Sequence, residues 1–321
     1  MTKMMKRVCN RPIQIDALTM CYSVVTPYHY EQLCKLDYGE CYEMQEFRLY
    51  RTDGRYFDNI YIIRLFDGKN DVDFGHVKFN LCHGDKSSNI HTNEKIKVWI
   101  SINNAVLYSN LLHSLDYIAT CLGFEAHNVT SLDLCLDTNF NVSTTLKTLI
   151  RDKNVTTILN GKRILDRDAD RPEIIYTQTG SLNKFKYLTI NIKQKNALHD
   201  KTKGTSITTY DKAAEIRNAS DKFYILDYYG NPKKLFRTEV HLNNEEVKSY
   251  LENHGIEFTP LFLFDNVLLE DIFFHYLNSV IRFKCKDKSV CWLNILGRRK
   301  VITTPSAGYA TKHKFSFINK K

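Results

Sequence analysis

A chain of 321 residues, 43% apolar and 25% charged, is long enough to bury one large core or two smaller ones, and this composition excludes bulk disorder. Its nine cysteines are odd in number and hold no CxxC pair, which argues against a disulfide framework and against a structural zinc site. The basic N-terminus has no apolar stretch behind it, and no uncharged run approaches the roughly 20 residues a membrane helix needs, so a soluble, cytoplasmic protein is expected.

In chain order, Ile13–Val25 is rich in β-branched and aromatic residues and predicts a strand, followed by a helix over Pro27–Leu36 with Thr26 as N-cap. Alternating runs at Phe47–Thr52, Asn59–Phe66, His76–Cys82 and Lys95–Ile102, separated by Gly-containing turns, predict an antiparallel meander. Apolar residues at Leu107, Leu111, Leu112, Leu115, Ile118 and Leu122 follow a 3.6-residue period and predict one helix over Ala105–Leu122, ended by Gly123. An acidic strand, SLDLCLD (Ser131–Asp137), comes next.

A second cycle repeats the theme. It has a helix near Ser143–Arg151, strands at Glu173–Thr179 and Lys186–Gln194, a basic loop, the stretch TTYDKAAEI (Thr208–Ile216), and a strand FRTEVHL (Phe236–Leu242). Beyond it, Leu261–Phe283 reads as a long buried helix and Val290–Leu296 as a strand. The fold class expected is α+β, antiparallel sheets with helices on one side, and the two strand–helix–strand cycles suggest a duplicated unit. Domain boundaries follow the polar gap Asn253–Thr259: a region 1–252, with halves 1–140 and 141–252, and a helical and basic section 253–321.

Charge is concentrated in that last section. From Arg282 to Lys321 eleven Lys or Arg face the single acidic Asp287, leaving the preceding residues at about −1 of the total +9. A localised positive surface suits a polyanion such as DNA; the alternative is a solvated face that aids solubility.

Strand parity sorts the chemistry. Ser131, Asp133, Cys135 and Asp137 share one face, with the leucines between them on the other. Asp133 and Asp137 stand roughly 13 Å apart by strand rise, too far to share one metal ion, which makes Asp133 the preferred ligand and Asp137 the weaker candidate. In FRTEVHL, Arg237, Glu239 and His241 share a face. Such alternation marks any half-exposed strand, but a guanidinium, a carboxylate and an imidazole are also the parts that hold a phosphate and a divalent cation. Tyr210 precedes Asp211 and Lys212, with Glu215 three residues further on. A tyrosine hydroxyl with a reference pKa of about 10 needs a neighbouring cation or base to act as a nucleophile, and Lys212 is placed to serve.

The frame YDKAAEI, followed by FRTEVHL and preceded by VTSLDLCLD, resembles the trans-acting class of rolling-circle replication initiators. That family shows a tyrosine in Y-[DN]-K-x-x-E, an R-x-E strand after it and an R-[IL]-D-[LI]-A-[IV]-D strand before it. The opening IQIDALTMCYSV is similar to its first strand, I-D-W-L-S-F-T. The similarity spans about Ile13 to Val247 and rests on short motifs. Ser131 stands where the family has Arg, and Ala17 where it has Trp. No His-hydrophobic-His triplet occurs among the eleven histidines, which disfavours the larger class of tyrosine nickases built on that triplet.

The resemblance implies Tyr210 as nucleophile, Asp133 and Glu239 as metal-site residues for Mg²⁺ or Mn²⁺, and Lys212 and Glu215 in the same pocket. It implies nicking of one strand of a plasmid or mobile-element origin, leaving a 5′-phosphotyrosine and a 3′-hydroxyl primer. A bacterial cytoplasm, a host helicase partner and a homodimer go with it. Lys193, Lys195, Lys201 and Lys203 before the tyrosine, and Arg298, Arg299 and Lys300 near the end, are candidates for phosphate contact. A relaxase with the same chemistry and a non-catalytic DNA-binding protein remain open, whereas a tyrosine recombinase would need an Arg-His-Arg set that has no convincing spacing here.

Overall fold

A computed structural model of the protein describes residues 13–66, 71–81, 96–165, 171–179, 187–199, 204–286 and 288–296. The protein is of mixed α+β class, its strands lying mainly in antiparallel sheet, as the alternating runs predicted. No helix among the described residues is long and apolar enough to cross a membrane.

The chain begins with β1 (Gln14–Val24), α1 (Pro27–Lys35), β2 (Cys41–Glu43), β3 (Phe47–Thr52), β4 (Phe57–Phe66), β5 (Asp71–Leu81) and β6 (Lys97–Ile102). Proline at the first turn starts α1, because a missing N–H costs nothing there. The meander is antiparallel throughout, from β2–β3 to β5–β6, and β1 pairs with β6. At Gly75 an added Cβ would lie 2.1 Å from the Ser101 carbonyl oxygen, so glycine there lets β5 and β6 close up beside the register shift at Ile63/Arg64.

The single helix expected over Ala105–Leu122 is three pieces: α2 (Asn104–Leu107), a 3₁₀ turn at Asn110–His113 and α3 (Ser114–Cys121). Ser109 breaks it, since its hydroxyl accepts from Leu111 N and caps a new start in the middle of the apolar period. Gly123 ends α3 with φ +73, and its carbonyl accepts from Val25 and Thr26 N–H at 2.9 and 3.1 Å.

The acidic stretch is the end of a longer strand, β7 (Phe124–Thr138), followed by α4 (Val142–Arg151), β8 (Val155–Leu159) and β9 (Lys162–Arg163). In α4 the buried residues Val142, Leu146 and Ile150 recur every four positions, each contributing about 1.5–3 kcal/mol by burial. Then come β10 (Ile174–Thr179), β11 (Tyr187–Lys193), α5 (Asn196–His199), β12 (Ser206–Asp211), α6 (Lys212–Glu215), α7 (Phe223–Tyr228), β13 (Phe236–Asn243) and α8 (Asn244–Asn253). Asn243 and Glu246 form a capping box that starts α8.

The expected long helix Leu261–Phe283 stops at Val280. A 3₁₀ turn (Pro260–Phe264) precedes α9 (Asn266–Val280), and Ile281–Cys285 is a strand, β14, in which Ile281 and Phe283 are buried and Arg282 and Lys284 exposed. That two-residue period decides against helix. Val290–Leu296, expected as a strand, instead holds the end of β15 (Lys288–Val290) and a helical turn, α10 (Trp292–Ile295), whose Trp292 ring is buried with its N–H on the Ile281 carbonyl.

The chain divides into two compact units that interleave in sequence, rather than at the polar gap 253–259. The N-terminal unit is Ile15–Asp133 with His241–Phe262, and its strand order is β7-β1-β6-β5-β4-β3-β2. The central unit is Leu134–Val240 with Leu263–Gly308 as far as described. It holds the order β10-β11-β12-β13-β7 and a second sheet, β15-β14-β8-β9. Strand β7 passes from one unit to the other after Asp133, and β13 after Val240, so the two acidic and basic motifs are each divided between units.

Candidate active site

In the central unit, β12 alternates. Ile207 and Thr209 are fully buried, while Ser206, Thr208 and Tyr210 lie partly open on the other face. The strand is held against β11 in the register Asn191↔Thr208, where the Asn191 amide donates to Thr208 Oγ1 at 2.8 Å. Tyr210 is therefore presented at the end of a paired strand, on the face away from the core.

Directly after it the chain turns. Asp211 caps α6, its Oδ1 accepting from Ala214 N at 2.9 Å, and the small buried residues Ala213 and Ala214 let the turn sit close. Ala213 N donates to the Leu235 carbonyl at 3.0 Å, tying this turn to the residue that leads into β13. Burial pushes the Asp211 carboxyl above its ordinary value, against the Ala214 N–H and Arg217, which favour its charge. A π-helical turn, Ile216–Ser220, continues α6 and ends at Asp221 in the left-handed region, φ 52. Such turns are frequent at functional sites.

Lys212 is 2% exposed, its ammonium meets the Glu215 carboxylate, Oε2, at 2.9 Å, and it lies 5.6 Å over the Tyr210 ring. A buried amine that faces a phenol and is neutralised by one half-exposed acid is the strongest electrostatic feature of the predicted frame. Tyr210, Lys212 and Glu215, singled out from the sequence, are thus brought together.

Arg237 and Asp137 are brought together differently. Arg237 Nε donates to Asp137 Oδ1 at 2.8 Å and Nη2 to Oδ2 at 2.6 Å, with the two side chains 0% and 1% exposed. This corrects two expectations. Asp137, a candidate metal ligand, has both oxygens taken, and Arg237, a candidate phosphate cation, is sealed from solvent by its own partner. The parity holds, but the face of β13 is closed at Arg237 and opens only at Glu239 and His241.

In the N-terminal unit, Asp133 Oδ1 and His241 Nδ1 share a hydrogen bond, and both side chains keep partial exposure. Among the described residues no three His, Cys, Asp or Glu side chains form a metal-binding group. Asp133 and His241 supply a carboxylate and an imidazole, donor types that a divalent cation takes alongside phosphate oxygens and water, although Nδ1 and Oδ1 here engage each other. An imidazole nitrogen in the set favours Mn²⁺ over Mg²⁺. Glu239, the other expected ligand, is half-buried in the central unit.

Of the phosphate-contact candidates, Lys193 ends β11 half-exposed and Lys195 is exposed in the turn after it. Lys201, Lys203, Arg298, Arg299 and Lys300 lie outside the described residues. Sequence reasoning missed Asp211 as a helix cap, although Asp three residues before Ala214 at a strand end is the usual signal. It also missed Lys78, Lys97 and Trp99, which share one face of a sheet. No family model matches the chain, and no curated protein matches it.

Proposed function

We propose that this chain is a tyrosine DNA nickase that initiates rolling-circle replication at a plasmid or mobile-element origin in the bacterial cytoplasm. The observation that carries the reading is Lys212, buried beside the Tyr210 ring at 5.6 Å and held there by Glu215. A phenol attacks a phosphodiester only as its anion, and a fixed ammonium next to the ring is placed to stabilise that anion as it forms.

Tyr210 Oη forms a bond to phosphorus while its proton passes to water. The bond from phosphorus to the 3′ oxygen breaks, its electron pair stays with that oxygen, and the oxygen takes a proton from water to become the 3′-hydroxyl primer. The products are a 5′-phosphotyrosine and a free 3′ end, and the phosphodiester stored on the protein allows later rejoining. The family resemblance also implies a Mn²⁺ or Mg²⁺ ion, for which Asp133 and His241 of the N-terminal unit would offer a carboxylate and an imidazole. A helicase and a second copy of the chain are the partners that go with this activity.

The test is incubation with supercoiled origin plasmid and Mn²⁺. Nicked circles carrying protein on the 5′ end are expected, and Tyr210→Phe should abolish the adduct while leaving DNA affinity unchanged. Normal nicking by Tyr210→Phe would remove Tyr210 from its role, and binding without any nicking would make the chain a non-catalytic DNA-binding protein.

A further inference from the structure

The outer face of β5, β6 and β1 in the N-terminal unit forms a regular grid. Register pairs His76 with Ser101 and Ser101 with Thr19 in one row, and Lys78 with Trp99 and Trp99 with Cys21 in the next; Lys97 pairs with Ser23 in the third. The opposite face of the same strands carries Val77, Phe79, Val98, Ile100, Leu18, Met20 and Tyr22, all buried, so the grid is the side turned away from the core; it is part-open at Thr19, His76, Lys78, Lys97, Trp99 and Ser101 and covered at Cys21 and Ser23.

Both amines are half-buried, and both are met by hydroxyls rather than acids. Lys78 Nζ donates to Ser101 Oγ at 3.2 Å, and Lys97 Nζ to Ser23 Oγ at 2.8 Å, while Thr19 Oγ1 donates to Ser101 Oγ at 3.2 Å. Among the described residues neither lysine has a carboxylate within ion-pair distance. Burial holds the Lys78 ammonium below its ordinary value, and His76 is lowered by burial and then by Lys78. His127, lowered by burial and by Lys97 and Lys248, extends the same positive region. Half-desolvated charges that meet only hydroxyls among the described residues are costly, and an anion arriving at this face relieves that cost.

Trp99 decides which anion. It stands opposite Lys78 in register and two residues beyond Lys97 on the same strand, its ring 5.5 Å from that of Phe57, and is itself only partly buried. The lysines are diagonal neighbours across β5 and β6, about 7–8 Å apart at Cα. An aromatic platform flanked by cations and hydroxyls is the arrangement that binds single-stranded nucleic acid, bases stacking on the ring and phosphates meeting the amines. We propose that the β5–β6–β1 face binds a single-stranded nucleic acid segment, with Lys78 and Lys97 on successive phosphates and Trp99 under a base. This goes beyond the nicking chemistry of Tyr210, but rests on that reading for its choice of polyanion over an acidic peptide.

The experiment uses the full chain and a 5′-labelled oligothymidylate, followed by anisotropy across a salt series. Only two tryptophans are present, and Trp292 is 2% exposed in the core of the central unit, so oligonucleotide-induced quenching reports on Trp99. Lys78→Gln and Lys97→Gln should each weaken binding and lower the salt slope by about one, whereas Lys78→Arg should retain both. Trp99→Leu should cost about 5- to 150-fold in affinity and remove the quenching. Unchanged affinity and slope in both glutamine variants, with unaltered tryptophan emission, would overturn the proposal. So would capture of polyglutamate with the same lysine dependence, which would assign an acidic protein instead. Loss of nicking in Tyr210→Phe with this binding intact leaves the face standing on its own. Lysine-dependent binding in a chain that never nicks would sink the nickase reading and keep this one.

Discussion

Arg237 grips Asp137 side-on through two parallel hydrogen bonds of 2.8 and 2.6 Å, and neither side chain reaches water. The two motifs most suggestive of catalysis, the acidic strand β7 and the basic strand β13, therefore spend one charge each on holding the central unit together. Removing either partner leaves the other buried and uncompensated. Arg237→Ala and Asp137→Ala should each lower unfolding stability by about 3–5 kcal/mol in urea titrations, while Asp137→Leu combined with Arg237→Met should recover most of the loss. Single variants with unchanged midpoints would mean that the pair is hydrated and weak.

Lys212 is predicted to matter to chemistry more than to affinity. Lys212→Met keeps the bulk of the side chain and removes the charge beside the Tyr210 ring, leaving Glu215, whose side chain is 32% exposed, without its ammonium partner. Nicking should fall by about 100-fold at saturating DNA, with the dissociation constant little changed. An equal loss in both would make Lys212 a binding or structural residue.

Much of this was legible from residue order alone, for physical reasons that differ by element. Strand β3 and the core of β13 were read correctly because alternation is local and both faces of the pattern lie within six or seven residues. Tyr210, Lys212 and Glu215 were legible because they are neighbours in sequence. The Arg237–Asp137 pair was not, since its partners are 100 residues apart and strand parity cannot say whether a polar face will be covered by another layer. Lys97, Trp99 and Ser101 alternate plainly in KVWISI, yet their meaning appears only when Lys78 and Ser23 arrive from neighbouring strands. The helix expected over Ala105–Leu122 failed at Ser109, where a side-chain cap outweighed apolar periodicity.

Asp211 makes a prediction in pH. Burial raises its folded-state pKa above the unfolded value, so the folded protein binds more protons between the two. Its contribution to stability is fully present below the unfolded pKa and is lost as pH rises through the folded one. Asp211→Asn keeps a capping oxygen for Ala214 N without the buried charge. The variant should therefore gain in melting temperature relative to the parent at pH 7, and the gain should shrink as pH falls toward 3. A gain independent of pH would show that the carboxylate's charge plays no part.

The Asp133–His241 pair predicts a cation dependence that can be read without any activity. If these two side chains hold Mn²⁺, the ion stabilises the folded form by about 2.7 kcal/mol at a hundred times its dissociation constant, seen as a Mn²⁺-dependent rise in melting temperature. Both Asp133→Asn and His241→Ala should remove that rise, because each takes away one of the two donors. Direct titration by isothermal calorimetry checks the same point. Mn²⁺ stabilisation that survives both substitutions would place the cation elsewhere, and its absence in the parent chain would leave Asp133 and His241 as a hydrogen-bonded pair that orders the strand ends.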